Sequence, residues 1–97
     1  MSLGACAPTR YGSVNMTSDP SGAQIYDMED GSFIGVTDLN YVWKSRDSNR
    51  KFMNVRLHLP GYQDYVSTFW LNLDYGNASD AKANAQAVDF TLKPLAD

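Results

Sequence analysis

The sequence has few of the residues that build covalent cross-links, metal sites or membrane spans. Its 97 residues include one cysteine and one histidine. A single cysteine cannot form an internal disulfide, so no cross-link staples the core. His58 has neither cysteine nor carboxylates at ligand spacing, which favours a solvated or cross-strand-paired histidine over a metal ligand. No apolar run approaches the roughly 20 residues of a membrane helix, and no hydrophobic signal region is recognisable.

Motifs for catalysis are also missing. The serines and threonines have no second histidine to activate them and no Gly-x-Ser-x-Gly elbow, and there is no glycine-rich phosphate loop. Asp27, Glu29 and Asp30 precede Gly31, but two of these acids are adjacent and the glycine comes a position early for a calcium loop. They predict a solvated hairpin tip. The sequence therefore predicts no enzyme, no catalytic residues, no metal and no cofactor.

The composition indicates one folded domain. Hydrophobic residues make up 43% of the chain and aromatic residues 12%, which is more than a disordered chain carries and enough for one small core. The net charge of -3 disfavours nucleic acid as a partner, because phosphate binding requires a basic surface. The five cations Lys44, Arg46, Arg50, Lys51 and Arg56 nevertheless lie close together, with Asp47 as the one acid among them.

Alternation of apolar and polar residues with a period of two dominates the chain and predicts strands. The strongest such stretch runs from Met53 to Leu59 and ends at Pro60-Gly61, which predicts a hairpin with a return strand over Tyr62 to Leu73. A final strand is predicted over Val88 to Leu92. The predicted fold is a small all-β antiparallel sandwich of about six or seven strands.

Two further turns are predicted near the start of the chain. Ser18 to Ala23 contains Asp, Pro and Gly at turn positions and predicts a hairpin between a strand over Ser13 to Thr17 and a partner over Gln24 to Met28. Asp30-Gly31 predicts a two-residue type I′ turn into a strand over Phe33 to Thr37.

Two segments have open interpretations. In the return strand Val66 and Trp70 fall on the face opposite Leu71, so either both faces are partly covered or a bulge shifts the register. Gly76 to Ala87 is either a short helical turn capped by Ser79 or a flexible loop. The predicted core consists of Val14, Met16, Ile25, Ile34, Val36, Met53, Val55, Leu57, Leu59, Phe69, Leu71, Val88, Phe90 and Leu92.

The residues around the cysteine resemble a lipoprotein processing site. Small residues precede Cys6 in Gly4-Ala5-Cys6, as in the lipobox of bacterial lipoproteins, in which the cysteine becomes the acylated N-terminus. Met1-Ser2-Leu3 also resembles an expression leader, and Cys6 then has the alternative of an incidental thiol. Residues 1–12 are interpreted as an N-terminal tether, or in part such a leader, and residues 13–97 as the folded domain.

Three motifs occur in the order typical of the PEGA domain, a small extracytoplasmic β-sandwich module of bacteria and archaea. They are Ser18 to Ala23, Gly35-Val36-Thr37 and Pro60-Gly61-Tyr62. The chain resembles this family over about residues 12 to 73, although Asp38 stands where the family usually has proline and the polar stretch Lys44 to Arg50 replaces a tight glycine turn.

The resemblance implies an extracytoplasmic location and a non-catalytic structural or protein-interaction role. Together with the lipobox-like residues at Cys6, it predicts a periplasmic cell-envelope protein that is anchored to the membrane by lipid on Cys6. The alternative is a module that binds carbohydrate or peptidoglycan. The partner would be an envelope protein or a cell-wall polysaccharide. The candidate interaction residues are aromatic and basic, a composition enriched at binding hot spots: Tyr41, Trp43, Lys44, Arg46, Arg50 and Lys51. The competing interpretation is that Trp43 closes the core and the charges solvate a loop.

Overall fold

The computed structural model describes residues 8–95, which form seven strands and one short helix. The elements are β1 (Arg10–Asp19), β2 (Gln24–Asp27), β3 (Phe33–Val36), β4 (Leu39–Ser45), β5 (Arg50–His58), β6 (Tyr65–Asn72), α1 (Ala78–Ala83) and β7 (Gln86–Thr91). The strands form a three-stranded sheet in the order β4-β1-β7 and a four-stranded sheet in the order β3-β2-β5-β6. The predicted small all-β sandwich is confirmed.

One strand pair differs from the antiparallel arrangement that the sequence predicts. β7 lies parallel to β1, with Val14 opposite Gln86 and Asp19 opposite Thr91. Antiparallel neighbours are usually joined by a hairpin, whereas a parallel pair needs a longer connection. β7 follows β6 of the other sheet through α1, so it enters beside β1 without a hairpin and in the same direction.

The predicted hairpin at Ser18 to Ala23 is wrong, although the segment does turn. β1 pairs with β4 and β7, while β2 pairs with β3 and β5 in the other sheet. The segment therefore crosses from one sheet to the other, and the backbone of Gly22 has φ +93° there, a conformation that favours glycine. Local turn chemistry fixes the bend but not which strands pair after it.

Thr37 connects this corner to the end of β3. Its Oγ1 accepts hydrogen bonds from the backbone N–H groups of Gly22 (3.1 Å) and Ala23 (3.0 Å). Its own backbone N–H donates to the carbonyl of Ala23 at 2.9 Å. The Ser18 to Ala23 and Gly35-Val36-Thr37 motifs, far apart in sequence, thus meet in one hydrogen-bonded corner.

The other two predicted turns have opposite outcomes. The two-residue type I′ turn at Asp30-Gly31 is wrong, because the loop between β2 and β3 spans residues 28–32 and only its glycine has a positive φ. A type I′ turn requires positive φ at both central residues. The hairpin between β5 and β6 is confirmed, with Leu57 opposite Tyr65 and Gly61 at φ +88°. Its register is continuous, so no bulge displaces Val66 or Trp70.

The core lies between the sheets and matches most of the predicted positions. Val36 is the exception, because it is 44% exposed on the outside of the edge strand β3. Ile34, Leu59, Phe69 and Val88 are partly buried against the core. Residues that the predicted core lacked are also fully buried: Ala23, Leu73 and Ala81.

The segment between β6 and β7 contains a helix, and Asn77 rather than Ser79 caps it. The Asn77 side chain accepts a hydrogen bond from the backbone N–H of Asp80 at 2.8 Å, which is the usual N-cap contact.

The start of the described chain differs from the predicted tether. Arg10 to Gly12, which the sequence assigned to the tether, belong to β1. Within residues 8–95 no helix is long and apolar enough to cross a membrane.

Candidate functional site

The six candidate interaction residues do not form one site. Lys44 and Arg46 are exposed, and Arg46 Nε lies 3.4 Å from Thr9 Oγ1 at the start of the described chain. Arg50 lies on the outer face of the four-stranded sheet. The remaining three side chains line a cleft between the sheets: Tyr41, Trp43 and Lys51.

The inter-sheet cleft lies beside β3 and β4, the strands that form one edge of each sheet. Its volume is about 450 Å³, within the range of small-ligand sites. The rings of Tyr41 and Trp43 are nearly parallel, with an interplanar angle of 15° and centroids 6.3 Å apart. Lys51 Nζ lies 4.1 Å from the Trp43 ring centroid. Trp43 is 41% exposed, so it flanks the cleft and does not close the core.

Carboxylates at the end of β2 and in the β2–β3 loop form the other side of this cleft. Asp27 Oδ1 accepts from the backbone N–H of Glu29 and Asp30 Oδ1 from that of Ser32, so both acids order the loop. Hydrogen bonds from the side chain and backbone of Ser32 lower the pKa of Asp30. Burial, followed by the charges of Asp27 and Asp30, raises the pKa of Tyr41. Within residues 8–95 no three metal-ligating side chains come together, and the acids form a hairpin tip.

The outer surface of the four-stranded sheet carries a second candidate surface, which we call the aromatic face and define by Tyr26, Phe33, Phe52, Val66 and Trp70. Phe52 and Trp70 are directly opposite each other on β5 and β6, with ring centroids 5.1 Å apart. Tyr26 and Phe33 make a similar edge-to-face pair at 5.6 Å. Phe33 is 57% exposed, Val66 55%, Trp70 46% and Phe52 39%. Large apolar side chains are thus left in water on the outer side of the four-stranded sheet.

Two arginines lie over the aromatic face. The guanidinium carbon of Arg50 is 4.1 Å from the Trp70 ring centroid, and that of Arg56 is 4.8 Å from the Tyr26 centroid. Both distances are within the range of cation–π attraction. Stacking fixes the position of each guanidinium while its N–H groups keep the capacity to donate hydrogen bonds.

A small ionic cluster lies at the β5–β6 end of this face. Asp64 accepts from Arg56 Nη1 at 3.1 Å, and its other oxygen is 2.8 Å from His58 Nδ1. The hydrogen bond with His58 lowers the pKa of Asp64, burial opposes this shift, and the hydrogen bond from Arg56 and the charges of both partners lower the pKa further. His58 is therefore a paired surface histidine.

The free edge of β6 makes an unusual contact with the side chain of Gln86. The Gln86 Oε1 accepts from the backbone N–H of Asn72 at 2.7 Å, and its Nε2 donates to the backbone carbonyl of Trp70 at 3.0 Å. These two bonds are the ones that a neighbouring strand would make. One amide side chain therefore pairs with part of an open sheet edge.

Sequence reasoning missed the aromatic face and the Gln86 contact. The aromatic face had a signal, because Val66 and Trp70 alternate out of phase with the core residues of β6. The contact of Gln86 with β6 had none, since it depends on how β7 lies relative to the other sheet.

Cys6, the predicted lipidation site, lies outside the described residues, and the likeness to PEGA domains remains a prediction. A scan of family models and searches of curated proteins and of solved structures find nothing that matches this chain.

Proposed function

We propose that this chain is a non-catalytic protein-interaction domain of a cell-envelope protein that is anchored by lipid, and that its partner binds the aromatic face. The observation that carries the proposal is the half-exposed Phe52–Trp70 pair with Arg50 stacked on it. Tryptophan, tyrosine and arginine are the residues that dominate binding energy at protein interfaces.

A variant of the aromatic face can be compared with a control variant that removes two exposed basic side chains. The full-length protein would be immobilised and used to recover envelope proteins from the cells that produce it, beside a Phe52→Ala plus Trp70→Ala variant and a Lys44→Ala plus Arg46→Ala control. We expect a protein retained by the wild type and the control to be lost from the double aromatic variant. Equal retention by all three, with circular dichroism showing intact folds, contradicts a role for the aromatic face.

The anchoring part of the proposal rests on Gly4-Ala5-Cys6 and on the extracytoplasmic location implied by the PEGA resemblance. Radioactive palmitate labelling and membrane fractionation of the native gene product test it. We expect label in the membrane fraction, and a Cys6→Ser protein without label in the soluble fraction. An unlabelled, soluble wild-type protein contradicts lipid anchoring but does not contradict the proposed role of the aromatic face.

A second candidate function is binding of carbohydrate or peptidoglycan in the inter-sheet cleft. The nearly parallel rings of Tyr41 and Trp43, beside polar groups in an open cleft, favour it. Pull-down on cell-wall polysaccharide would compare Trp43→Ala with Trp70→Ala, which removes a tryptophan of similar exposure elsewhere. Loss of binding only in Trp43→Ala supports this function, and retention in that variant contradicts it.

A further inference from the structure

We propose that the partner contributes an extended, carboxylate-bearing peptide segment that adds as a fifth strand to the free edge of β6. This inference rests on the proposed function, because the added strand would lie beside Trp70 and Val66 of the aromatic face. Strand addition supplies affinity through main-chain hydrogen bonds and specificity through alternate side chains.

The direction of the backbone groups defines the available edge. Leu73 N–H donates toward β5, to the carbonyl of Asn49, whereas Asn72 N–H and the Trp70 carbonyl face Gln86 on the other side. Along a strand these directions alternate with each residue. Val66, Thr68 and Trp70 therefore also point their N–H groups away from β5.

Most of this edge lacks a hydrogen-bonding partner in the described part of the chain. β6 pairs with β5 alone. Gln86 takes the Trp70 carbonyl and the Asn72 N–H. The N–H and carbonyl groups of Val66 and Thr68 and the N–H of Trp70 remain for an incoming strand. Gln86 then marks the end of the added strand, because it already occupies the next bonding position.

Length and surroundings favour β6 over the other three edge strands. β6 has eight residues, whereas β4 has seven, β7 has six and β3 has four. The pairing of β3 is also irregular, with a register shift beside Tyr26. An exposed edge with aromatic side chains on the adjacent face is a template for another chain.

Charge selects the chemistry of the segment. Within the strands of the four-stranded sheet the outward positions carry Arg50 and Arg56 and no carboxylate, and Asp64 precedes β6. The Arg50 guanidinium lies over Trp70, one of the outward-facing β6 residues beside the proposed strand. A carboxylate on the added strand can accept hydrogen bonds from it in the geometry that guanidinium groups favour.

In the test, a displayed library of random linear peptides is selected for binding to the full-length chain. We expect the selected peptides to alternate apolar and acidic residues, and their binding to slow amide hydrogen exchange of Thr68 and Trp70 by at least about tenfold. Arg50→Gln should weaken binding by roughly tenfold, since it removes a charge-assisted bond. Arg46→Gln is the matched control and should bind as the wild type does.

Gln86→Ala adds a positional check. It frees the Asn72 N–H, so protection on peptide binding should then extend to Asn72. Gln24→Ala, an exposed glutamine on β2, should leave the protected region unchanged.

The outcomes separate this inference from the proposed function. Peptides that lose affinity in Trp70→Ala but leave Thr68 and Trp70 amides unprotected overturn strand addition and retain the aromatic face. Peptides that bind the Phe52→Ala plus Trp70→Ala variant as well as the wild type overturn the role of that face. Selection that yields no binding peptide overturns the strand-addition proposal.

Discussion

Thr37 Oγ1 lies 2.6 Å from Ser18 Oγ, and this contact joins the end of β1 to the end of β3. Ser18 Oγ also lies 2.7 Å from the carbonyl oxygen of Pro20, to which it donates. Thr37 is buried, with only 6% of its surface exposed. Its hydroxyl oxygen also accepts hydrogen bonds from two backbone N–H groups of the corner. Two short hydroxyl side chains thus satisfy the polar groups where the chain passes between sheets.

Replacing Thr37 by valine should destabilise the fold by about 1–3 kcal/mol, because the N–H of Ala23 loses its acceptor in a buried setting. Valine keeps the branched shape, so the loss reports the hydroxyl and not a cavity. Urea unfolding measures the change. Thr91→Val, at an exposed position of β7, is the control and should change stability by less than about 0.5 kcal/mol. An unchanged midpoint for Thr37→Val would show that the hydroxyl does not hold the corner.

Features that depend on the residues of one segment are predicted well from the sequence, whereas features that depend on contacts with distant segments are not. Alternation over Met53 to Leu59 identifies both the strand and its buried face, because each residue reports its own environment. The Ser18 to Ala23 segment reports a bend but says nothing of Thr37, which directly follows β3. Strand pairing depends on contacts between distant residues, and the hairpin expectation failed there for that reason.

A close approach between the sheets leads to a second prediction. A Cβ added at Gly12 in β1 would lie 2.2 Å from the carbonyl oxygen of Asn72 and 2.8 Å from a methyl of Leu73. The first contact is with backbone, so β1 and the end of β6 would have to separate. Gly12→Ala should therefore lower the unfolding free energy by about 1–3 kcal/mol, the usual cost of overpacking.

Gly76→Ala is the natural comparison for Gly12→Ala. It has no positive φ, and an added Cβ there meets open space. Thermal unfolding should show a lower midpoint for Gly12→Ala and an unchanged or slightly higher one for Gly76→Ala. Equal midpoints for the two variants would contradict the close approach of β1 to Asn72.

The helix α1 gives a test of which residue caps it. Asn77→Ala should cost about 1 kcal/mol of helix stability, because the N–H of Asp80 loses its acceptor. Asn77→Ser retains an acceptor without placing a second carboxylate beside Asp80, and it should retain the helix. Amide exchange rates across Ala78–Ala83 measure this local change directly. Ser79→Ala should leave these rates unchanged, and the opposite ranking of the two alanine variants would restore Ser79 as the cap.

The candidate site was less predictable than the fold because consecutive residues in a strand face opposite ways. Arg50 and Lys51 are neighbours in β5, yet one contacts Trp70 on the outer face and the other contacts Trp43 in the cleft. Proximity in sequence suggested one basic surface. A period of two divides such a stretch between two surfaces, so residues two apart were the better guide to a shared site.

The ionic cluster at Asp64 predicts a dependence of stability on acid. The partners His58 and Arg56 lower the pKa of Asp64 below its ordinary value of 3.8 in the folded chain. A carboxyl with a lowered folded pKa stabilises the fold above its unfolded pKa, and this contribution is lost as the pH falls through the folded value. The difference in unfolding free energy between wild type and Asp64→Asn should thus be present at about pH 5 and shrink below about pH 4. The side chains are 35–44% exposed, so the difference is small and falls with added salt.

Asp47→Asn is the control for loss of a surface charge, because Asp47 takes part in no ion pair within residues 8–95. A matching pH profile for the two variants would contradict the Asp64 assignment.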